Sequence, residues 1–403
     1  MSQIFTQNSF YTFQFSIMTS FNISKKILQK IVNLCNQISP KRSEIEIFTN
    51  TKIKVLPESL SLSVASGVIY YNTEIAIENL EMKKETEFLV RTETLANIIS
   101  LMNDEKLKFE IDLDKNNLLI QGSRSKHSLK ILTEDLDDFN LPEKDEEKCE
   151  VEITVSAEKL LEANKFALIS VGIPKNVYQP EFLSVCYSFV ENDFFVVSTD
   201  RFRILKNKTE THSLKFGENL ELPQNFLLLP KNLQILNSAL ETEEVKITLE
   251  TSLAFFQFGE QTIICRYGDG KYPDYNKIIP QSFACNFVLN VKDCLDSLRQ
   301  VYFFAKASVI NKNIIIEVIP SEQTIQFSTT TDEGNSSQSS TIISNYQGEQ
   351  ESWKQSFNAD YLIEYISALS CEHFLWEANP GKPSVLSPID NKENQLYLVS
   401  GLK

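Results

Sequence analysis

The sequence predicts an α+β protein of three repeated domains, each with two helices packed on antiparallel sheet. Three observations lead there. Six segments read as a short apolar strand running into an amphipathic helix, and they fall into two interleaved sets of three. Within each set the copies recur at about 130 residues. Between the helices the chain alternates apolar and polar residues, as strands with one buried face do.

In chain order, FNISKKILQKIVNL from Phe21 opens the first set, with Ile27, Leu28, Ile31, Val32 and Leu34 at helical spacing. ITVSAEKLLEANKFAL from Ile153 repeats it, with Leu160, Leu161, Ala163, Ala167 and Leu168 on the apolar face, and FVLNVKDCLDSLRQVYFFA from Phe287 is the third copy. The second set is FLVRTETLANIISLM from Phe88, FLLLPKNLQILNSAL from Phe226 and QSFNADYLIEYISAL from Gln355. Its helices begin at Thr, at Pro and at Asn-Ala-Asp, residue types that either accept hydrogen bonds from free N–H groups or lack one. Strands KLKFEIDL, EVKITLET and HFLWEA follow the three. SLSLSVASGVIYYNTEIAI, FLSVCYSFVENDFFVVSTD and NIIIEVIPSEQTIQFSTT read as hairpins. Ser328–Asn345 (STTTDEGNSSQSSTIISN) reads as a solvated loop by composition. The expected domains are 18–148, 149–278 and 279–403, with residues 1–17 an N-terminal extension that lies outside the repeats and carries no signal-peptide pattern.

Composition narrows the function. In 403 residues, 39 basic and 54 acidic side chains give a net charge of −15, which argues against a surface that coats nucleic acid but not against one basic face. The seven cysteines lie far apart without CxxC spacing, so neither zinc nor a disulfide framework is expected, and reduced thiols place the protein in the cytoplasm. No motif predicts a cofactor, and no apolar run reaches the ~20 residues of a membrane span.

Residues 268–280, GDGKYPDYNKIIP, hold Gly270-Lys271, but a phosphate loop needs Ser or Thr and a helix after the lysine, where Tyr272-Pro273 stand. The stretch falls where one repeat closes and the next begins, so it reads as a joint. Together with VVSTDRFRIL (196–205) upstream and the chain end YLVSGLK, it resembles the bacterial sliding clamp family, the β subunit of the replicative DNA polymerase. The resemblance extends over Met18–Lys403, and the Asp-Gly-Lys-Tyr-Pro-Asp-Tyr run is its most specific part.

That resemblance implies a non-catalytic processivity factor: a head-to-tail homodimer closed into a ring that encircles duplex DNA, helices lining the hole. It implies DNA contacts from the helix positions Lys25, Lys26, Lys30, Lys159, Lys165, Lys231, Lys292, Arg299 and Lys306, and from Arg42 and Phe182. It also implies a groove for short Gln/Leu/Phe-containing peptides of polymerases, the clamp loader and repair proteins, formed by Leu183, Thr199, Arg201, Phe202, Arg203, Ile204, Pro273, Asn276, Lys277, Ile278, Ser384, Leu398, Val399, Ser400 and Leu402. An apolar floor of Leu183, Ile204, Ile278 and Leu398 under a polar rim suits such a peptide. Phe202 stands where the family has His, Arg201 where it has a small residue, and Ser400-Gly401 where it has Met-Pro. Ring closure is expected from strands at 125–132 and 301–308.

Two other readings compete. Asp137-Asp138 and Asp269/Asp274 are candidate catalytic carboxylates, although Asp at a joint also serves as a turn residue. A structural or adhesive β-rich repeat protein without DNA binding explains three similar domains, but not lysines spaced along the helices.

Overall fold

A computed structural model of the chain describes residues 18–82, 84–175, 179–217, 224–268, 271–307 and 312–402. The extension 1–17 and Asp269 lie outside the described residues. Among the described residues are six α-helices: α1 Lys25–Ile38, α2 Thr92–Leu101, α3 Ala157–Ala167, α4 Pro230–Ala239, α5 Val291–Ala305 and α6 Ala359–Ala368. Each follows directly on a strand or one residue after it, and they pack as α1 with α2, α3 with α4, and α5 with α6. The expected six strand–helix units are all present.

Local chemistry explains the helix limits. α1 buries Leu28, Ile31, Val32, Leu34, Cys35 and Ile38 on one stripe and leaves Ile27 exposed, so one of the five expected apolar positions faces solvent. Each fully buried aliphatic of that stripe contributes about 1.5–3 kcal/mol. The helix ends because Pro40 forces Ser39 out of helical geometry (ψ 127). Asn290, Ser156 and Asn358 accept from backbone N–H groups at the starts of α5, α3 and α6. Thr92 does not cap α2: it is buried, and its hydroxyl is hydrogen-bonded to that of Thr51 at 2.9 Å.

The chain forms two compact units. One comprises 18–144 with 259–264. In it the strands run in the order 69–76, 59–65, 50–55, 86–91, 126–132, 117–121, 106–112, 18–24, 78–81, all antiparallel. α1 lies on the 59–65 and 69–76 strands.

The other unit holds 145–258 and 265–403. One sheet orders 211–216, 149–156, 244–250, 253–258. A nine-stranded sheet runs 224–228, 185–190, 193–199, 203–209, 395–399, 384–388, 373–378, 285–290, 344–347. A four-stranded sheet orders 336–342, 324–330, 313–319, 353–358. The 203–209 and 395–399 strands therefore pair across the expected 278/279 boundary, with Ile204 opposite Leu398 and Arg203 opposite Val399.

Two expectations fail. Ser328–Asn345 is not a loop: Ser336–Ile342 is a strand paired along its length with Thr324–Thr330. Its side chains alternate between exposed and half-buried, and Ser339 donates to Gln300 Oε1 of α5 at 3.4 Å, so polar composition hid a strand. Residues 301–305 are the last turn of α5, not a strand, because Val301 and Ala305 continue the buried stripe of Leu298. Ser308 lies outside the described residues.

Candidate partner groove and nucleic-acid face

The VVSTDRFRIL motif makes a tight turn between the Asp193–Thr199 and Arg203–Thr209 strands. Asp200 organises it. Its Oδ1 accepts from the N–H groups of Phe202 (3.0 Å) and Arg203 (3.1 Å), and its Oδ2 takes Arg203 Nε at 2.8 Å. Thr199 Oγ1 accepts from Arg201 N–H at 3.1 Å, and Arg201 is held at φ 82°. That backbone region favours glycine and is uncommon for other residues.

Arg203, expected on a groove rim, is only 6% exposed. Its Nη1 donates to Glu364 Oε2 of α6 at 2.5 Å, and its guanidinium lies 4.2 Å from the Tyr361 ring centre. Burial pulls its pKa down, but Tyr397, Asp200 and Glu364 outweigh that and the net shift is upward. The residue is thus a fixed cation joining the turn to α6. Asp200, Tyr361 and Glu364, which hold Arg203, are not among the expected groove positions; the Asp-x-x-Arg spacing is the available sequence signal for the first.

Ile204 and Leu398 form a buried cluster with Val385, Cys186, Tyr272 and Tyr275. Both tyrosines come from the GDGKYPDYNKIIP stretch, so this joint is nailed down by aromatic packing. Tyr275 donates to Ser188 Oγ at 3.2 Å, and burial pushes its pKa up to about 12. Of the expected groove positions, Phe202 (53% exposed) and Ile278 (52%) are the large apolar side chains left open to solvent.

Leu183, half-buried, ends the short turn Pro180–Leu183 that also holds half-buried Phe182. Pro273 is half-buried, Asn276 and Lys277 are exposed, and Lys277 pairs with Asp274 at 3.0 Å. Val399 and Ser384 are buried opposite each other in register. The tail closes the sheet: Ser400 N–H donates to the Phe202 carbonyl and Leu402 N–H to the Ser356 carbonyl, both at 2.8 Å. Gly401 lies against the side-chain amide of Gln355, where a Cβ would collide. Gln355 cannot swing away, since it donates to the Lys382 carbonyl at 2.8 Å and accepts from Gly381 N–H at 3.2 Å. This accounts for glycine there.

The cations expected at DNA sit on the helices, but not alone. α1 carries Lys25, Lys26 and Lys30 with no carboxylate, and α4 carries Lys231 with none. Lys159 and Lys165 share α3 with Glu158 and Glu162, and Lys159 lies 3.4 Å from Glu162. Lys292 and Arg299 share α5 with Asp293 and Asp296, and Lys306 caps that helix. Arg42 is exposed on the loop after α1, which Arg91 pins by donating to the Lys41 carbonyl at 2.6 Å.

Of the carboxylate candidates, Asp137 and Asp138 lie in a short turn, Leu136–Asp138, and Asp274 is paired with Lys277. Among the described residues no three His, Cys, Asp or Glu side chains are placed to hold a metal, and no helix is long and apolar enough to cross a membrane.

Residues 19–143 match the family model described as DNA polymerase III beta subunit, N-terminal domain. A beta sliding clamp of Rickettsia felis is 25% identical over 373 residues, covering 88% of this chain and 92% of that one. This chain is a relative of the bacterial β sliding clamps. Its fold agrees throughout. The DNA polymerase III β subunit of Pseudomonas aeruginosa superposes with a TM-score of 0.83 at 16% identity, covering 95% of this chain and 100% of that one. The Bacillus subtilis sliding clamp gives 0.83 at 18%, covering 96% and 99%. The clamp architecture of three helix pairs on antiparallel sheets is therefore that of this chain.

Proposed function

We propose that the protein is a DNA polymerase processivity factor, a non-catalytic sliding clamp that encircles duplex DNA in the cytoplasm and tethers polymerases, the clamp loader and repair proteins through short peptides. The observation that carries this is the whole-length likeness to bacterial clamps in fold. A ring holds DNA by topology, so eight basic side chains on six helices suffice without tight binding. The alternative of an adhesive repeat protein draws no support from any of these likenesses.

The peptide groove is the surface bounded by Phe202, Ile278 and the tail. Ring closure joins two copies through open strand edges. The Lys126–Leu132 strand pairs with Asn117–Gln121 along its length but with Thr86–Arg91 only at Ile131 and Leu132, leaving 126–130 open on one side among the described residues. This edge is basic (Lys126, His127, Lys130). Ser336–Ile342 ends its sheet, beside Asp332 and Glu333, with Ile342 and Phe303 exposed. That edge replaces 301–308 as the partner strand.

The test is retention. Loaded on nicked circular DNA, the protein should stay bound through gel filtration and run off once the circle is linearised. Equal retention on both forms would contradict a topological link.

A further inference from the structure

Lys206, on the Arg203–Thr209 strand, is a cation at the groove that lacks a counter-ion among the described residues. It is half-buried, its Nζ stands 4.3 Å from the Phe195 ring centre and 5.5 Å from that of Tyr275, and its hydrogen bond goes to Asn276 Oδ1 at 3.1 Å. Leu396 lies opposite it in register. The nearest acid on its own sheet, Asp193, is already paired with Lys208 at 2.7 Å. Burial holds the Lys206 ammonium below the ordinary lysine pKa, against the pull of Asp193. A carboxylate brought to it would offset that desolvation by favouring the charged ammonium.

In the turn before that strand, Arg201 is exposed, without a carboxylate partner among the described residues, at φ 82°. Five residues separate the two, at most about 17 Å of extended chain. Phe202, next to Arg201, and Ile278, two residues after the Asn276 that Lys206 bonds, are exposed large apolar side chains. Two cations without carboxylate partners among the described residues, on stretches that also expose Phe202 and Ile278, complement a peptide with apolar anchors and carboxylates, on a protein that is otherwise acidic.

We propose that Lys206 and Arg201 are specificity-determining residues that select acidic partner peptides, Lys206 by pairing with a carboxylate inside the groove. This rests on the peptide-groove reading above. The probe is a set of fluorescein-labelled synthetic peptides containing Gln, Leu and Phe, with one Asp moved through each position and an Asn twin for each, titrated against the full chain by anisotropy. At one position or more the Asp peptide should bind at least fivefold tighter than its Asn twin at 50 mM salt, and the ratio should shrink at 500 mM. Lys206→Met should bring the largest ratio to near one, and Arg201→Gly should reduce the ratio at a different position.

Equal binding of Asp and Asn twins at every position would overturn the proposal while leaving the groove intact. So would a preference that survives both substitutions. The salt comparison on the unsubstituted protein needs no variant, so it remains decisive even if Lys206→Met misfolds. If no peptide of either kind binds, the groove reading falls and the inference with it.

Discussion

Replacing Arg203 with Met tests whether the turn at 199–203 is held by a buried cation or merely decorated by one. Removing one partner of a buried ion pair costs about 3–5 kcal/mol, because the other charge is left without compensation. Two features of this site lower that figure. The Glu364 side chain is half-exposed and rehydrates once released. Asp200 is buried, but its Oδ1 keeps two backbone N–H donors. The loss should therefore be about 2–3 kcal/mol, mostly from the stranded Asp200 Oδ2 and the lost contact with Tyr361. Both tryptophans, Trp353 and Trp376, lie in the third repeat, so guanidinium unfolding followed by tryptophan emission reports the segment to which Arg203 ties the turn. A double-mutant cycle apportions the effect. Arg203 should couple to Asp200→Asn by at least about 1.5 kcal/mol, and to Glu364→Gln by no more than about 1 kcal/mol, the value of a half-exposed pair. A loss under about 0.5 kcal/mol, or equal coupling to both acids, would show that burial is not what gives the pair its strength.

Other outcomes follow from the same geometry. Phe202→Ala and Ile278→Ala should each weaken binding of a Gln/Leu/Phe peptide about tenfold without moving the melting temperature, whereas Leu398→Ala should cost about 2–4 kcal/mol of stability because its side chain is core; anisotropy and thermal melting separate the two. Arg201→Gly should leave stability nearly unchanged while Arg201→Val lowers it by about 1 kcal/mol or more, since a β-branched residue tolerates φ 82° worst. On the ring reading the unsubstituted protein should be a dimer by light scattering and Ile342→Glu with Phe303→Asp a monomer, and an unchanged mass would refute the edge assignment. Glu152 accepts from Lys246 (2.8 Å) and Lys215 (3.3 Å), chiefly the former, which lowers its pKa in the folded state. Its stabilisation is therefore present above the unfolded carboxyl pKa of about 4.3 and lost as pH falls through the lower folded value. Glu152→Gln should be up to about 1 kcal/mol less stable than the parent at pH 7 and equal to it at about pH 2–3, by urea unfolding.

Much of the fold was legible because it is written in periodicity. The six helices appear in the sequence as apolar stripes entered from a strand, and burial is all that such a stripe must report. What failed was governed by place rather than pattern. Ser336–Ile342 is an edge strand with no fully buried side chain, so nothing in its composition had to be apolar. The proposed groove is read from sequence as a set of rim and floor positions, yet residue type does not say which way a side chain turns. Arg203 and Ile204 are neighbours in sequence, and both prove buried, one by ion pairing and the other by packing. Lys206 has no sequence signal because a lysine in a strand usually points to solvent; only the rings of Phe195 and Tyr275 reveal that this one does not.

The charge of the chain, which first argued against a nucleic-acid protein, has a spatial answer. The six helices carry eight basic and seven acidic side chains, close to balance, so the acid excess belongs to strands and loops. Within the helices the imbalance is uneven: α1 and α4 are purely basic, while α2 and α6 bear only acids. A protein that gripped DNA by charge would be poorly served by this arrangement, because each acid on the contact face offsets a phosphate contact and its counterion release. A ring that must slide gains from weak contacts, since a strong phosphate grip would arrest it. On the clamp reading, α1 and α4 supply the contacts and α2 and α6 keep them loose. Neutralising Lys25, Lys26 and Lys30 together should then reduce the salt sensitivity of loading more than it reduces retention on closed circles.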